Sequence, residues 1–173
     1  MDLEKYIRVV PDWPKPGISF KDITPLLGDA AAFHHVVTQM AAPFYDAKIA
    51  KVFGIEARGF LFAGALAAVL GCGAGIVRKQ GKLPWKTVST SYALEYGTAA
   101  IEIHEDAVRA GERVIVVDDI IATGGTLQAA LTLLEQTRAA IVGVSVLGTL
   151  DFLPGAGFIA QRYPLHTLIH FSS

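Results

Sequence analysis

The chain has 173 residues, enough for one ordinary domain and too few for two. Its formal net charge of -1 and its pI of about 6.5 argue against a protein whose main partner is nucleic acid, because such proteins carry a basic face. A single cysteine, Cys72, excludes a disulfide framework within the chain. Residues 1–5 are rich in charge and lack the apolar stretch of a signal peptide, so the sequence predicts a cytoplasmic protein.

Hydrophobic residues make up 52% of the chain, and its mean hydropathy is +0.43. A domain of this size cannot bury so much apolar surface alone, so we expect a buried subunit interface and a homodimer. The uncharged residues 59–77 are long enough to resemble a membrane span. Three of their glycines, Gly71, Gly73 and Gly75, cluster and break the pattern. We therefore favour a buried helix over 60–70, a glycine turn and a buried strand from Ile76, with a membrane span as the alternative.

The N-terminal part begins with residues 11–28, whose prolines and glycines predict an irregular arm without strand or helix. Asp29 can then cap a helix on which apolar side chains recur at helical spacing. These side chains are Phe33, Val36, Val37, Met40 and Phe44. Residues 49–55 predict a strand, the basic residues 78–91 a polar loop, and residues 99–103 a short strand.

The C-terminal part contains two continuous apolar segments, 114–117 and 141–147, which predict buried strands. Between them we expect a turn over 118–126 and a helix. The apolar positions of this helix are Leu127, Ala130, Leu131 and Leu134. The remainder predicts irregular structure around Pro154, Gly155 and Gly157, followed by a last strand over 165–171.

Apolar strands that alternate with helices predict a mostly parallel sheet covered on both faces. Ligands of such sheets bind beyond the carboxyl ends of the strands. Three polar stretches fall at predicted strand ends, namely residues 56–58, 78–79 and 118–126. We expect them to converge, and this is the first indication of function.

Residues 114–126, VIVVDDIIATGGT, carry the most specific pattern. It places Asp118 and Asp119 at the end of a buried strand, before a glycine turn that opens a helix. Backbone N–H groups of such a turn and the helix dipole form a cradle for one phosphate, while the two carboxylates can accept hydrogen bonds from ribose hydroxyls. The string lacks the ending of a nucleotide P-loop and the spacing of a dinucleotide fingerprint. The alternative is an acidic turn without a ligand, although adjacent acids after a buried strand are costly to desolvate.

This string resembles the phosphoribosyl pyrophosphate signature of the type I phosphoribosyltransferases. Other segments resemble the adenine-specific members of that family. These are the N-terminal arm at 11–27 (PDWPKPGISFKDITPLL), the pyrophosphate loop at 54–60 (GIEARGF), and the mobile loop at 78–84 (RKQGKLP) and 91–97 (SYALEYG). The motifs stand in the order of the family, and the resemblance covers about residues 6–150.

The resemblance implies an α/β fold with a mostly parallel twisted sheet flanked by helices. It implies a single domain over 1–173, in which 11–28 form the arm of a small hood over the base and 78–97 form a mobile catalytic loop. It also implies a cis peptide between Glu56 and Ala57, where backbone strain would mark the geometry of the site.

The resemblance also assigns residues to each part of the substrate. The 5′-phosphate falls to Ala122, Thr123, Gly124, Gly125 and Thr126, and the ribose hydroxyls to Asp118 and Asp119. The residues implied to bind the pyrophosphate are Arg58, Arg78, Lys79 and Lys82. The groups implied to contact the base are the Phe20 ring, the Leu150 side chain and the backbones of Ser19 and Lys21. Catalysis falls to Glu95, Arg58 and Lys79, with Glu95 near the imidazole side of the base.

The implied reaction joins adenine to phosphoribosyl pyrophosphate and releases AMP and pyrophosphate, with Mg²⁺ bound mainly through substrate oxygens. We assign no protein-bound metal, because His166 and His170 lack a carboxylate or cysteine companion. Neither nucleic acid nor membrane is an expected partner.

Alternatives remain for several of these residues. The cations Arg58, Arg78, Lys79 and Lys82 would also suit a solvated surface, and Phe20 and Leu150 would also suit a core. The chain has Lys21 and Thr149 where many family members have arginine and glutamate, and an uncharged segment after Gly155. Enzymes of this fold for xanthine, guanine or orotate, or a regulator that senses phosphoribosyl pyrophosphate, are the rival functions. The full mobile loop and the adenine-type arm weigh against both.

Overall fold

The strands form two sheets in the computed structural model, which describes residues 1–93 and 98–172. A short antiparallel pair comprises β1 (Arg8–Val10) and β2 (Phe20–Asp22). The strands of the main sheet are β3 (Lys51–Ile55), β4 (Gly73–Lys79), β5 (Thr87–Ala93), β6 (Thr98–His104), β7 (Arg113–Ile121), β8 (Ala140–Leu150) and β9 (Leu165–Phe171).

The main sheet has the spatial order β5-β6-β4-β3-β7-β8-β9. Strands β4, β3, β7, β8 and β9 run parallel to one another, whereas β6 runs antiparallel to both β4 and β5. The predicted α/β fold with a mostly parallel sheet is therefore confirmed. The three polar stretches lie at the carboxyl ends of β3, β4 and β7, which are adjacent, so they do converge at one edge of the sheet.

Helices cover both faces of this sheet. They are α1 (Thr24–Gly28), α2 (Ala30–Ala41), α3 (Gly59–Leu70), α4 (Gly125–Gln136) and α5 (Gly155–Ala160), with 3-10 turns at Leu3–Tyr6 and Ala42–Phe44. Side chains alternate along each central strand, so that Ile115 packs with α2 and α3 while the next residue, Val116, packs with α4. As predicted, α2 begins after Asp29, whose Oδ1 accepts a hydrogen bond of 2.9 Å from the Ala32 N–H.

Several element boundaries differ from the sequence prediction. The arm is not wholly irregular, because its second half forms β2 and α1. Only Gly71 lies in the turn after α3, since Gly73 and Gly75 belong to β4, and of this strand only Val77 is buried. Strand order explains the error, because the first half of β4 has no neighbouring strand on its outer side and pairs with β6 only from Arg78.

Three further segments were predicted as loop, turn or irregular structure and form regular structure. Strand β5 lies within residues 78–97, the predicted mobile loop, and pairs along its whole length with β6. Strand β7 continues through Asp118 and Asp119 to Ile121, so the turn is confined to 122–124. The segment after Pro154, predicted to be irregular, forms α5.

Helix α3 is not fully buried, which corrects the sequence prediction. Phe62 and Leu66 are completely covered, whereas Leu61 is 51% exposed and Val69 41% exposed. The helix spans 12 residues and is followed by a strand. Within residues 1–93 and 98–172, no helix has the length and apolar character needed to cross a membrane.

Candidate active site

Two neighbouring acids at the end of β7 form the centre of the site. Asp119 is only 4% exposed, and its Oδ2 lies 2.6 Å from Nε of Arg58, which follows the adjacent strand β3. The Asp119 N–H donates a hydrogen bond of 2.9 Å to Oδ1 of Asp118, which is half-buried. The sequence predicted a turn from residue 118 onward, whereas Asp119 is buried within β7, because this strand extends beyond its apolar residues.

Both carboxyl groups resist ionisation. Burial, reinforced by the negative charge of Asp119, raises the pKa of Asp118 well above its usual value. Burial also raises the pKa of Asp119, although the guanidinium of Arg58 opposes this shift. Two charged carboxylates side by side with little access to water are unfavourable for folding, and a ligand that offers hydroxyl donors would relieve them.

The predicted phosphate cradle lies directly after these acids. A cavity is lined by Asp118 and by residues 120–127. Gly124 has φ +79°, a conformation that favours glycine, and α4 begins at Gly125. The first backbone N–H groups of α4 are thereby available at the turn, as an anion site requires. The structure thus brings Asp118 and Asp119 together with Ala122, Thr123, Gly124, Gly125 and Thr126 in one place.

The Phe20 ring lies over Arg58. The guanidinium carbon is 5.0 Å from the ring centroid, and the Trp13 ring contacts Phe20 edge-on at 4.4 Å. Phe20 is half-buried, so it is not an ordinary core residue. Arg58 therefore contacts the predicted base-stacking ring and, through Asp119, the predicted ribose site.

The other predicted base contacts lie nearby in the fold. Ser19 is exposed, while the Lys21 side chain is buried and donates from Nζ to Ser19 Oγ at 3.3 Å. Lys21 Nζ also lies 5.4 Å from the ring centroid of Phe171. This contact joins the N-terminal arm to β9. Leu150 ends β8 and is half-buried against the core of α2 and α3. The contact of these residues with a base stays a prediction.

The predicted pyrophosphate residues lie around Glu56. Arg78 contacts Glu56 Oε2 through Nε at 3.2 Å and donates from Nη1 to the Lys82 carbonyl at 3.0 Å. The Lys79 N–H donates to the same Glu56 oxygen at 2.9 Å, while the side chains of Lys79 and Lys82 are exposed. The expected cis peptide Glu56–Ala57 is present. Glu95 lies outside the described residues, so its predicted role stays a prediction.

Sequence reasoning missed Glu102, which organises the segment between β4 and β5. Glu102 is 3% exposed and accepts hydrogen bonds from the N–H groups of Lys82 and Leu83 at 3.0 Å and from the Thr87 hydroxyl at 3.1 Å. Burial opposes the ionisation of Glu102, but these hydrogen bonds outweigh it and lower its pKa. A charged residue between Ile101 and Ile103 was the available signal, although strand alternation alone suggests a solvated side chain.

Tyr92 was also missed. Its hydroxyl shares a hydrogen bond of 3.1 Å with the Thr126 hydroxyl, so β5 is joined directly to the predicted phosphate cradle. The sequence around Tyr92 predicted a loop, and only the pairing of β5 with β6 brings its ring to α4.

Thr149 occupies the position at which the resemblance noted glutamate in many relatives. Its hydroxyl donates to Asp151 Oδ1 at 2.6 Å, and the other Asp151 oxygen lies 2.9 Å from Nδ1 of His170. The Thr149 hydrogen bond, aided by His170, lowers the pKa of Asp151. Across the described parts of the chain, no three His, Cys, Asp or Glu side chains gather as metal ligands.

Comparison with known proteins identifies the family. The family model for the phosphoribosyl transferase domain matches residues 27–149. An adenine phosphoribosyltransferase of Bradyrhizobium sp. is 52% identical over 172 residues, which cover 99% of this chain and 96% of the relative. The chain belongs to the adenine phosphoribosyltransferase family.

Solved adenine phosphoribosyltransferases share the whole fold. The Rhodothermus marinus structure is 46% identical and has a TM-score of 0.93, covering 98% of this chain and 96% of its own. The Saccharomyces cerevisiae structure, solved with adenine and an imino-altritol bisphosphate, is 38% identical with a TM-score of 0.90, covering 96% of each chain. Membership of the adenine phosphoribosyltransferase family, inferred above from separate motifs, is confirmed over nearly the full chain.

Proposed function

We propose that this enzyme converts adenine and phosphoribosyl pyrophosphate to AMP and pyrophosphate in purine salvage. The observation that carries the proposal is the chain of contacts Phe20–Arg58–Asp119, which joins a half-buried aromatic ring to the acids beside the phosphate cradle. Those parts correspond to base, ribose and phosphate in the order in which they are bonded in AMP. Relatives of about half identical sequence carry the same activity in their names.

In the proposed reaction the bond between N9 of adenine and C1′ of the sugar forms, while the bond from C1′ to the pyrophosphate oxygen breaks. Negative charge develops on the leaving pyrophosphate, where the cations of Arg58, Lys79 and Lys82 would stabilise it. Asp118 and Asp119 would hold the ribose hydroxyls and so fix the sugar for in-line attack. Closure of the predicted mobile loop, 78–97, would exclude water, which otherwise competes as a nucleophile.

We propose that Mg²⁺ is bound mainly as a partner of the substrate. Asp119 Oδ2 is buried, makes no hydrogen bond and is contacted by Arg58, and within the described residues no cluster of three ligands surrounds it. Asp118 and Asp119 are the carboxylates that could hold the ion through water or ribose. When bound to the pyrophosphate oxygens, Mg²⁺ would neutralise charge on the leaving group.

The preference for adenine is part of the proposal. The backbones of Ser19 and Lys21 flank Phe20 and can pair with N1 and the amino group of adenine, whereas a 6-oxo purine reverses that donor pattern. A buried polar group left unpaired costs about 1–3 kcal/mol, or roughly a 5–150-fold loss in kcat/KM.

The decisive experiment assays the enzyme with phosphoribosyl pyrophosphate and Mg²⁺ against adenine, hypoxanthine, guanine, xanthine and orotate. AMP formation with adenine, well above the rate with the other bases, supports the proposal. Equal rates with guanine or xanthine would refute the base assignment. Binding of phosphoribosyl pyrophosphate without turnover of any base would instead indicate a sensor.

A homodimer is also part of the proposal. The outer face of α3 and the neighbouring β4 expose apolar side chains, of which Leu61, Val69 and Ile76 are 51%, 41% and 40% exposed. Sedimentation should give a dimer at micromolar concentration. Leu61→Asp places a charge on this exposed apolar face and should shift the protein towards monomer. The exposed Val9→Asp, on β1, is the matched control. A wild-type monomer would contradict this part.

A cytoplasmic location completes the proposal. It is supported by the unpaired cysteine, Cys72, and by the charge of phosphoribosyl pyrophosphate, which does not cross membranes unaided. Fractionation of cells that produce the protein tests it.

A further inference from the structure

Helix α5 packs its first residue against the back of the phosphate cradle. A Cβ atom on Gly155 would lie 2.2 Å from the Ala122 carbonyl oxygen and 2.7 Å from the Gly124 nitrogen. A Cβ atom on Gly124 would lie 2.9 Å from the Gly155 Cα. These neighbours are backbone atoms and cannot rotate away, so neither position has room for a side chain.

The other end of α5 is held in place from within the core and from α4. Ile159 is completely buried among the residues that pack on α4. Nη2 of Arg162 donates to both oxygens of Glu135 on α4, at 2.7 and 2.8 Å, and the Tyr163 hydroxyl donates to Glu135 at 2.5 Å. Burial and the Glu135 carboxylate raise the pKa of Tyr163 to about 12, so the phenol stays a donor at working pH. Helix α5 therefore cannot easily move away from the cradle.

We propose that Gly155 is a positioning residue for phosphoribosyl pyrophosphate, and that α5 acts as a rigid support which fixes the backbone of residues 122–124. This inference rests on the proposed function, in which that backbone holds the 5′-phosphate. An anion site made of N–H groups depends on their direction, and a displacement of about 1 Å at a positioned group can lower a rate by about a hundredfold.

A methyl group at Gly155 must therefore displace the cradle, because α5 is pinned by Ile159 and Glu135. The displaced N–H groups would bind the 5′-phosphate less well, whereas the predicted base contacts at Phe20 and Leu150 would stay in place. The expected signature is a split between the two substrates.

The experiment compares Gly155→Ala with Gly157→Ala. The control lies on the same helix, and a Cβ there would meet nothing within 4 Å. For Gly155→Ala we expect KM for phosphoribosyl pyrophosphate to rise about tenfold or more, with KM for adenine changed less than about twofold. Calorimetry with ribose 5-phosphate as the probe should show the same loss, while Gly157→Ala should match the wild type in both assays. Equal effects of the two variants, or equal losses for both substrates, would overturn the proposal.

Arg162→Ala keeps the test decisive if Gly155→Ala does not fold. It adds no atoms at the cradle and removes an exposed ion pair that anchors α5. We expect it to weaken ribose 5-phosphate binding by about threefold, with Arg138→Ala as the surface control. Binding unchanged from the wild type would overturn the support role. Failure of the proposed function would appear separately, as no AMP formation by a wild-type enzyme that still binds ribose 5-phosphate.

Discussion

Removal of the Glu102 carboxylate should open the segment 80–86 while the rest of the fold persists. Glu102 supplies the acceptor for Lys82 N–H, Leu83 N–H and the Thr87 hydroxyl. Each hydrogen bond to a charged group contributes about 1.5–3 kcal/mol. Fixing the backbone costs about 1–2 kcal/mol for each residue of the segment. The two quantities are similar in size, so the closed segment depends on this one side chain.

The assay is limited trypsin digestion, because Lys82 and Lys86 lie inside the segment. For Glu102→Ala we expect cleavage after these lysines to accelerate at least about tenfold, corresponding to the loss of about 1.4 kcal/mol or more of local stability. Glu102→Gln keeps one acceptor oxygen and should lie between wild type and alanine. Glu105→Ala, at an exposed position three residues further along the chain, is the control.

The pH dependence follows from the direction of the shift. The pKa of Glu102 is lower in the folded state than its usual 4.5, so its contribution is present above pH 4.5 and is lost as the pH falls through the folded value. Wild-type protein, probed with an acid-stable protease, should therefore open this segment only in acid, and Glu102→Gln should show no such transition. Cleavage of Glu102→Ala at the rate of the Glu105→Ala control would refute the reasoning.

Three further predictions concern the site. Asp118→Asn should raise Tm at pH 7.5, because burial and Asp119 raise the pKa of Asp118 and make its charged form unfavourable. This gain in Tm should shrink as the pH falls towards 3.8, and a lower Tm than wild type at pH 7.5 would contradict the prediction. The same variant should no longer bind phosphoribosyl pyrophosphate in calorimetry. Tyr92→Phe should raise KM for phosphoribosyl pyrophosphate roughly 2–10-fold through loss of the hydrogen bond to Thr126, and an unchanged value would show that this bond is not needed. Glu95→Gln, which cannot take a proton, should lower kcat by roughly 10²–10⁴-fold with little effect on that KM, and a normal single-turnover rate would end the base hypothesis.

The sequence predicted the sheet and the edge that carries the candidate site, because apolar strands and the polar residues at their ends can be recognised from residues that are adjacent in the chain. Residues 114–126 identified the acids and the cradle, and Asp29 marked the start of α2. Contacts made at long range cannot be recognised in this way. Glu102 reaches the segment between β4 and β5 only because β6 pairs with both strands. Tyr92 reaches Thr126 only because β5 lies beside α4.

Local composition also misled in two directions. Prolines and glycines at 11–28 concealed β2 and α1, since pairing with β1 and packing of the apolar residues override the turn signals. The continuous apolar letters of 59–77 suggested complete burial, whereas α3 is the outer layer of this face and leaves Leu61 and Val69 exposed. A single sequence reports how apolar a helix is, and it does not report which neighbour covers each face.

The placement of Lys21 over Phe171 has a consequence for how the enzyme can change its substrate. The family model ends at residues 27 and 149, and the residues expected at the base, Ser19, Phe20 and Leu150, all lie beyond those limits. In the proposed function the two terminal parts of the chain therefore share the recognition of the base, while the middle of the chain binds the phosphates. Exchange of both termini together, as a matched pair, offers a route to a new nucleobase that leaves the cradle untouched, whereas exchange of one alone would separate Lys21 from its partner ring.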